Sequence, residues 1–522
     1  MNPSKSKASG QITQASFATV HDLFLERARG QPDAVAIEFQ GASQTYVSLA
    51  DRARRLAGVL AARGVKPGDR VAILSENRPE YIEAELACAM CGAILACQNW
   101  RLAAGELGHC LRLVSPALAL VSPRSREAFE EACPDGLQSL SLGSDYENAL
   151  AGSEPGDVIR DADPESGLLI LYTSGTTGLP KGALISHRAE IARMAAMQID
   201  CGVRRGDSFV AWAPMYHMAS SDQMLATLMS GGTVIVLDGA DVGAIADAVQ
   251  SCALGWLVMM PGPIAAFIKE LRSRGPITAN VACVGAMADL VPRREITELT
   301  ALLDAPYLNS FGSTETGLPP ATAAMIPVGA AEFSLDKVIS TMCQVRLLGE
   351  DGVEVADGEP GEMAVRGPTL FSGYWANEAT NIKDFADGWF RMGDLFRRNP
   401  DGTISFVDRA KYMIKSGGEN IYPAEIERVL LADPRIKEAA VVKREDDKWG
   451  EVPVAFIAAS EPLELDDIVA LCRGSLSGYK MPKDLRRIAL ADFPRSTSGK
   501  VQRHELEATL KDKKPGGRQG QN

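Results

Sequence analysis

Thr173-Ser174-Gly175-Thr176-Thr177-Gly178-Leu179-Pro180-Lys181-Gly182 follows directly on the apolar run Leu168-Leu169-Ile170-Leu171-Tyr172. A short apolar run bounded by turn residues reads as a buried strand. Glycine permits tight turns that aim backbone N–H groups at phosphate oxygens, the Ser and Thr hydroxyls add neutral donors, and Lys181 supplies a mobile positive charge. Strand, loop and lysine together suit a polyphosphate, so Thr173, Ser174, Gly175, Thr176, Thr177, Gly178 and Lys181 are candidate polyphosphate-binding residues. The spacing is not that of GxxxxGK[ST], because Gly182 follows Lys181.

Outward from the loop, helical spacing alternates with short β-rich runs. A helix over 53–63 leads to a strand over 70–74, and further strands are predicted over 233–237, 257–260 and 281–284. From about residue 344 short strands over 345–348, 362–365 and 403–406 are separated by Asp-Gly and Glu-Pro-Gly turns, which reads as a β-rich lobe. Beyond Asp408-Arg409 the alternation resumes, with a helix over 424–431, a strand over 438–442 and a helix over 466–476. The fold class is α/β, a multi-domain α+β chain: a large N-terminal domain of layered α/β sheets with parallel strands, a small β-rich lobe, and a small C-terminal α+β domain. The expected boundaries are an unstructured tail over 1–15, the N-terminal domain over 16–409 with its lobe at about 344–408, the C-terminal domain over 410–510, and a second tail over 511–522.

At 522 residues the chain exceeds what one hydrophobic core organises. A net charge of −13 argues against nucleic acid and anionic membrane surfaces as partners, so an anionic substrate must be met by local Lys and Arg. Ten cysteines in so long a chain point to a reducing compartment, and Cys88 and Cys91 lie in a helical apolar stretch that suits packing rather than a metal or redox pair. No apolar run reaches the roughly 18 residues that span a bilayer. The expectation is a soluble cytoplasmic protein, with association as a homodimer.

The 173–182 loop resembles the phosphate loop of the adenylate-forming superfamily, which groups acyl- and aryl-CoA synthetases, peptide-synthetase adenylation domains and beetle luciferases. Further motifs occur in that family's order from about 17 to 510. Phe311-Gly312-Ser313-Thr314-Glu315 is similar to its aromatic-Gly-x-Thr-Glu motif. The resemblance implies that Asn309, Phe311 and Gly312 contact the nucleotide, with Phe311 stacking where the family usually has Tyr, and that Thr314 bonds the phosphate that becomes AMP. It makes Glu315, with Thr176, the ligand of Mg²⁺, a hard cation that takes oxygen donors. Asp394 after Gly393 resembles the ribose-binding aspartate, since a carboxylate accepts from both hydroxyls, and Arg409 the second ribose contact. Lys500 in Ser496-Thr497-Ser498-Gly499-Lys500 resembles the catalytic lysine that stabilises charge on the α-phosphate.

In the family the residue two past that Arg is the pivot of a mobile C-terminal domain, which puts a hinge at 409–411 centred on Lys411. Lys415, Ser416, Gly417 and Gly418 resemble the CoA channel of the synthetases, where adjacent glycines let a thin pantetheine arm pass. Trp449 and Tyr479 are weaker candidates for the CoA nucleotide. His217, in Pro214-Met215-Tyr216-His217-Met218, resembles the histidine that orients the carboxylate or gates the acid pocket. By analogy the pocket wall includes Met218, Gly285, Ala286, Met287, Gly312, Gly317, Leu318 and Pro319, with small residues such as Gly285 and Gly317 leaving depth for a medium- or long-chain, aromatic or polycyclic acid. The resemblance implies an acid:CoA ligase using ATP, Mg²⁺ and coenzyme A, with Lys500, Thr314, Glu315 and His217 in catalytic roles. An enzyme that loads an acyl-carrier protein and a non-catalytic acyl or nucleotide sensor are the alternatives.

Overall fold

The run over 168–172 lies inside the strand Gly167–Thr173, which pairs parallel with Ile94–Gln98 on one side and antiparallel with Lys181–Ser186 on the other. The computed structural model describes residues 7–159, 162–173, 179–276, 278, 280–417, 419–473, 475–495 and 501–511. By its contacts the chain divides into two compact units, Met1–Val345 with Val365–Phe390, and Arg346–Ala364 with Arg391–Asn522.

In the first unit a six-stranded sheet runs in the order Ser139–Ser141, Leu118–Val121, Arg70–Leu74, Ile94–Gln98, Gly167–Thr173, Lys181–Ser186. The first five strands are parallel. Strands covered on both faces read as continuous apolar runs, and every residue of Ile94–Gln98 is buried. A second sheet orders Ala42–Thr45, Val35–Phe39, Val234–Val236 and Phe209–Ala211, and a third orders Ala253–Leu257, Asn280–Val284, Tyr307–Leu308 and Met325–Ile326. A parallel bridge between Ser208 and Leu254 joins these two.

Two expectations are corrected. The strand predicted over 257–260 lies at Ala253–Leu257, because Pro261 opens the helix Pro261–Arg274. Gly255 stands inside that strand because Val203 occupies the place of its Cβ, 2.6 Å away. The N-terminal tail contains a helix, Lys7–Ala15; its Ala, Lys and Gln are good helix formers, although Ile12 is exposed. Cys88 is buried on the helix Pro79–Cys91, and all ten cysteines are free.

The second unit holds the hairpin that carries Asp394 and Arg409, and a sheet ordered Glu419–Ile421, Ile414–Ser416, Gly450–Ala459, Ile436–Asp446, with Asp484–Arg487 parallel to Gly450–Ala459. Ile426, Leu430, Val441, Ile457 and Ile468 form its core. Ile404–Arg409 and the elements after 410 share this unit: Asp408 accepts from Ala424 N at 2.8 Å, capping the start of the helix Pro423–Leu431. No helix among the described residues is long and apolar enough to cross a membrane.

Buried histidines tie the N-terminal helix Val20–Gly30 to the helix His187–Cys201. Val20 N donates to His187 Nδ1 at 3.2 Å, and the His21 and His187 rings meet edge to face. Burial pushes His187 down to about 3, and it also lowers His21. Unfolded, each titrates near 6.5. The unfolded chain therefore binds more protons between pH 6.5 and 3, so stability is lost as pH falls through that window. One such group contributes a slope of up to about 1.4 kcal/mol per pH unit. In His187→Gln, urea unfolding followed from pH 6.5 to 4.5 is expected to show a slope reduced by that order; an unchanged slope would contradict the assignment.

Candidate active site

The antiparallel return of Lys181–Ser186 places Thr173 opposite Lys181 and Tyr172 opposite Gly182. The chain leaves the candidate phosphate loop through the strand Lys181–Ser186. Ser174, Gly175, Thr176, Thr177 and Gly178 lie outside the described residues.

Residues 371–375 run along this strand: Ser372 N donates to Leu184 O, Leu184 N to Gly373 O and Trp375 N to Gly182 O. Tyr374 is thereby fixed beside Lys181, whose ammonium lies 3.7 Å from the centre of its ring. A cation over an aromatic face is attracted by the ring quadrupole. The Tyr374 hydroxyl donates to Glu315 Oε1 at 2.7 Å. One phenol thus holds the candidate phosphate-binding cation and the candidate metal-binding carboxylate.

Thr314 and Glu315 sit in a turn between the strands Phe311–Ser313 and Gly317–Ala321, closed by Ser313 N donating to Thr316 Oγ1. Phe371 N donates to Glu315 O. Beneath the turn Arg193 is almost wholly buried, donating to Thr314 O at 3.1 Å, Thr369 O at 3.1 Å and Asp222 Oδ2 at 3.0 Å. Glu85 and Glu190 lie nearby, fully buried and with no partner for their carboxyl oxygens among the described residues. Burial pushes both well above the usual carboxylate range. Burial raises Asp222 as well, with the Arg193 guanidinium and its hydrogen bond acting against that rise.

His217 caps the helix Met218–Ser230, its Nδ1 accepting from Ala219 N at 3.2 Å. An acceptor Nδ1 assigns the ring proton to Nε2. The loop before it is held by Asn77, whose Nδ2 donates to Ala211 O, Ala213 O and Leu237 O while Oδ1 accepts from Met215 N at 3.0 Å. Met218, Leu318 and Pro319 do line one cavity. The depth expected from Gly285 and Gly317 is absent: a Cβ on Gly285 would lie 2.1 Å from the Tyr307 ring, and one on Gly317 2.7 Å from the Arg193 side chain. A Cβ on Gly312 would likewise lie 2.1 Å from Gly317 O across the hairpin. These glycines make room for protein, not for a ligand. Ala286 O accepts from the Tyr307 hydroxyl, and Met287 takes a left-handed φ of 49°.

The Asn309 side chain is committed elsewhere. It donates to Leu335 O and Asp336 O and accepts from the fully buried Lys337, which also pairs with Asp289 at 2.5 Å. Any contact of Asn309 with a nucleotide is left to its backbone.

In the second unit Asp394 and Arg409 face each other across the hairpin, Nε to Oδ1 3.0 Å, as an ion pair without hydrogen-bond alignment. Asp394 is buried and Arg409 half exposed. Lys411 is exposed in the turn Ala410–Tyr412. Lys415 pairs with Glu350 at 2.8 Å on the surface, and Ser416 is buried. Gly417 has φ +61°, and its missing Cβ leaves space for the Trp449 indole, 2.8 Å away, rather than for pantetheine. Gly418 and Lys500 lie outside the described residues. The backbone bridge between Arg495 and Val501 brackets the segment that carries Lys500.

Tyr374, Arg193, Asn77 and Lys337 were not among the residues selected from sequence. Glu190 and Arg193, three apart on a helix, look there like a surface ion pair, and Tyr374 gains meaning only from the strand beside it.

This constellation is that of a nucleotide-activating enzyme. Residues 24–375 match the family model for AMP-binding enzymes, and residues 425–500 the model for their C-terminal domain. An indoleacetate–CoA ligase of Aromatoleum aromaticum is 35% identical over 493 residues, covering 91% of this chain and 95% of the relative. A feruloyl-CoA synthase of an Amycolatopsis species is 34% identical over 492 residues, covering 92% and 97%. The solved o-succinylbenzoate CoA synthetase of Bacillus subtilis, in complex with its acyl-adenylate intermediate, superposes with a TM-score of 0.80 at 25% identity, covering 95% of this chain and 99% of that one. The chain belongs to the AMP-binding, adenylate-forming enzyme family.

Tyr374→Phe keeps the ring over Lys181 and removes the bond to Glu315. It is expected to weaken Mg·ATP use, with KM for ATP rising roughly 3- to 10-fold as one charge-assisted hydrogen bond is lost, while KM for the acid is unchanged. Steady-state kinetics with each substrate varied separately checks this. Asn77→Ala leaves several buried polar groups unmatched and is expected to cost about 3 kcal/mol in urea unfolding.

Proposed function

We propose that this protein is an AMP-forming, ATP-dependent carboxylic acid:CoA ligase acting on an aromatic acid. The observation that carries this is the Lys181–Tyr374–Glu315 arrangement in a chain of the AMP-binding family. The names of its relatives, ligases of indoleacetate and ferulate, support an aryl acid. The ten free cysteines support a reducing, cytoplasmic setting.

Mg²⁺ fits the residues present. Glu315 offers a carboxylate with one oxygen held by Tyr374 and no protein partner for the other among the described residues. No group of three or more potential ligands occurs among those residues, which suits a cation that keeps waters and substrate phosphates in its shell. Bound at Glu315, Mg²⁺ supplies charge to the phosphate oxygens.

In the proposed first step a carboxylate oxygen of the acid attacks the α-phosphorus, forming the C–O–P link as the bond to pyrophosphate breaks. Lys500 offsets charge on the pentavalent phosphorus, Thr314 donates to an α-phosphate oxygen, and Lys181 holds the departing pyrophosphate. Asp394, with Arg409 beside it, accepts from the ribose hydroxyls. His217 presents Nε2–H towards the acid. Rotation about Lys411 then admits CoA. Its thiol loses a proton, sulfur bonds to the acyl carbon, and the carbon–oxygen bond to AMP breaks.

A mass balance of acid-dependent AMP and CoA thioester, with free CoA compared against a holo-carrier protein, tests both steps. Equal yields of AMP and CoA thioester are expected; AMP without thioester would sink the second step. Lys500→Ala is expected to slow adenylation by at least about 100-fold, and full adenylation by that variant would overturn its role.

A further inference from the structure

The cavity that includes Met218 and Leu318 is also walled by Met194, Met197 and Trp256. Unbranched methionines adapt to the face of a flat group, and the buried indole supplies a rigid wall whose N–H is already spent on Gly285 O at 2.7 Å. Three polar side chains interrupt this apolar lining: Arg193, Asp222 and Gln223. The first two are paired with each other. Gln223 differs. It is 5% exposed, yet its carboxamide has no hydrogen-bond partner among the described residues.

An amide that faces a cavity without protein partners is left to pair with water or with a ligand that replaces it. Gln223 also lines the adjoining cavity, whose wall shares Met194 and Met197 with the first. It therefore stands at the junction of the two spaces. On the helix Met218–Ser230 it lies six residues beyond the capping His217, which is about 9 Å along the axis. That separation compares with the span of an aryl ring and a short linker. Placed with its carboxylate near His217, such an acid would bring its far edge to the Gln223 amide.

We propose that Gln223 is a specificity-determining residue: it selects aromatic acids that carry a hydrogen-bonding group, a hydroxyl or a ring N–H, at the end remote from the carboxylate. This rests on the ligase assignment above. A carboxamide offers both an acceptor and donors, so it serves either group. An unsubstituted aryl or alkyl acid would leave it unpaired, and sites built to pair a substrate hydroxyl reject analogues that lack it.

The test uses the full chain and matched pairs of acids: a para-hydroxylated arylalkanoic acid against its unsubstituted parent, and an indole acid against its benzothiophene isostere. Equilibrium binding is measured by calorimetry, and kcat/KM by acid-dependent pyrophosphate release, for the wild type and for Gln223→Met, which preserves volume. The wild type is expected to favour the polar member by roughly 10- to 100-fold, and Gln223→Met to erase or invert that ratio with KM for ATP unchanged. Gln223→Glu, which keeps the acceptor, should retain preference for the donor-bearing acids. An equal ratio in wild type and Gln223→Met, or no binding of either member of any pair, would overturn the proposal. Calorimetry separates the two ideas: selective binding without pyrophosphate release would sink the ligase assignment while supporting selection by Gln223.

Discussion

A single desolvated guanidinium holds the first unit's site together. Arg193 bonds the carbonyl before Glu315, the carbonyl of Thr369 and the carboxylate of Asp222, joining two helices to the turn and to the segment that leads into Tyr374. A cation taken out of water is tolerated only when its donors are met and a counter-charge is near. Both conditions hold, and the geometry they impose is what brings Glu315 within reach of Tyr374.

The surrounding electrostatics follow from burial. Glu85, Glu190 and Asp222 lie close together in a low-dielectric interior, and burial raises all three, favouring their neutral forms. Negative charge beneath the turn is thereby limited. The histidine pair, His187 on the helix of Glu190 and His21 on the helix Val20–Gly30, obeys the same rule with the opposite sign, since burial there disfavours positive charge.

Much of the fold was legible because strands covered on both faces and amphipathic helices leave periodic traces, as at 70–74 and 168–172. The first-unit motif was legible too, since Thr314, Glu315 and Lys181 occupy a recognisable order. What escaped were dependences carried by non-local pairing. Nothing local marks Tyr374 as the neighbour of Lys181, which arises from residues 371–375 lying along a strand almost two hundred residues earlier. Gly285 and Gly317 misled for the same reason: absence of a side chain says that something lies close, not whether it is ligand or protein. Lys500 and the heart of the phosphate loop stand on sequence alone.

The contact between Gly317 and Arg193 also bears on how this chain can change over generations. Gly317 combines a left-handed φ of +76° with an arginine stem where any Cβ would sit. Neither position can drift alone: a larger residue at 317 displaces the guanidinium, and a smaller one at 193 opens a hole under the turn. The two form a ratchet, in which a change at either position calls for a compensating change at the other.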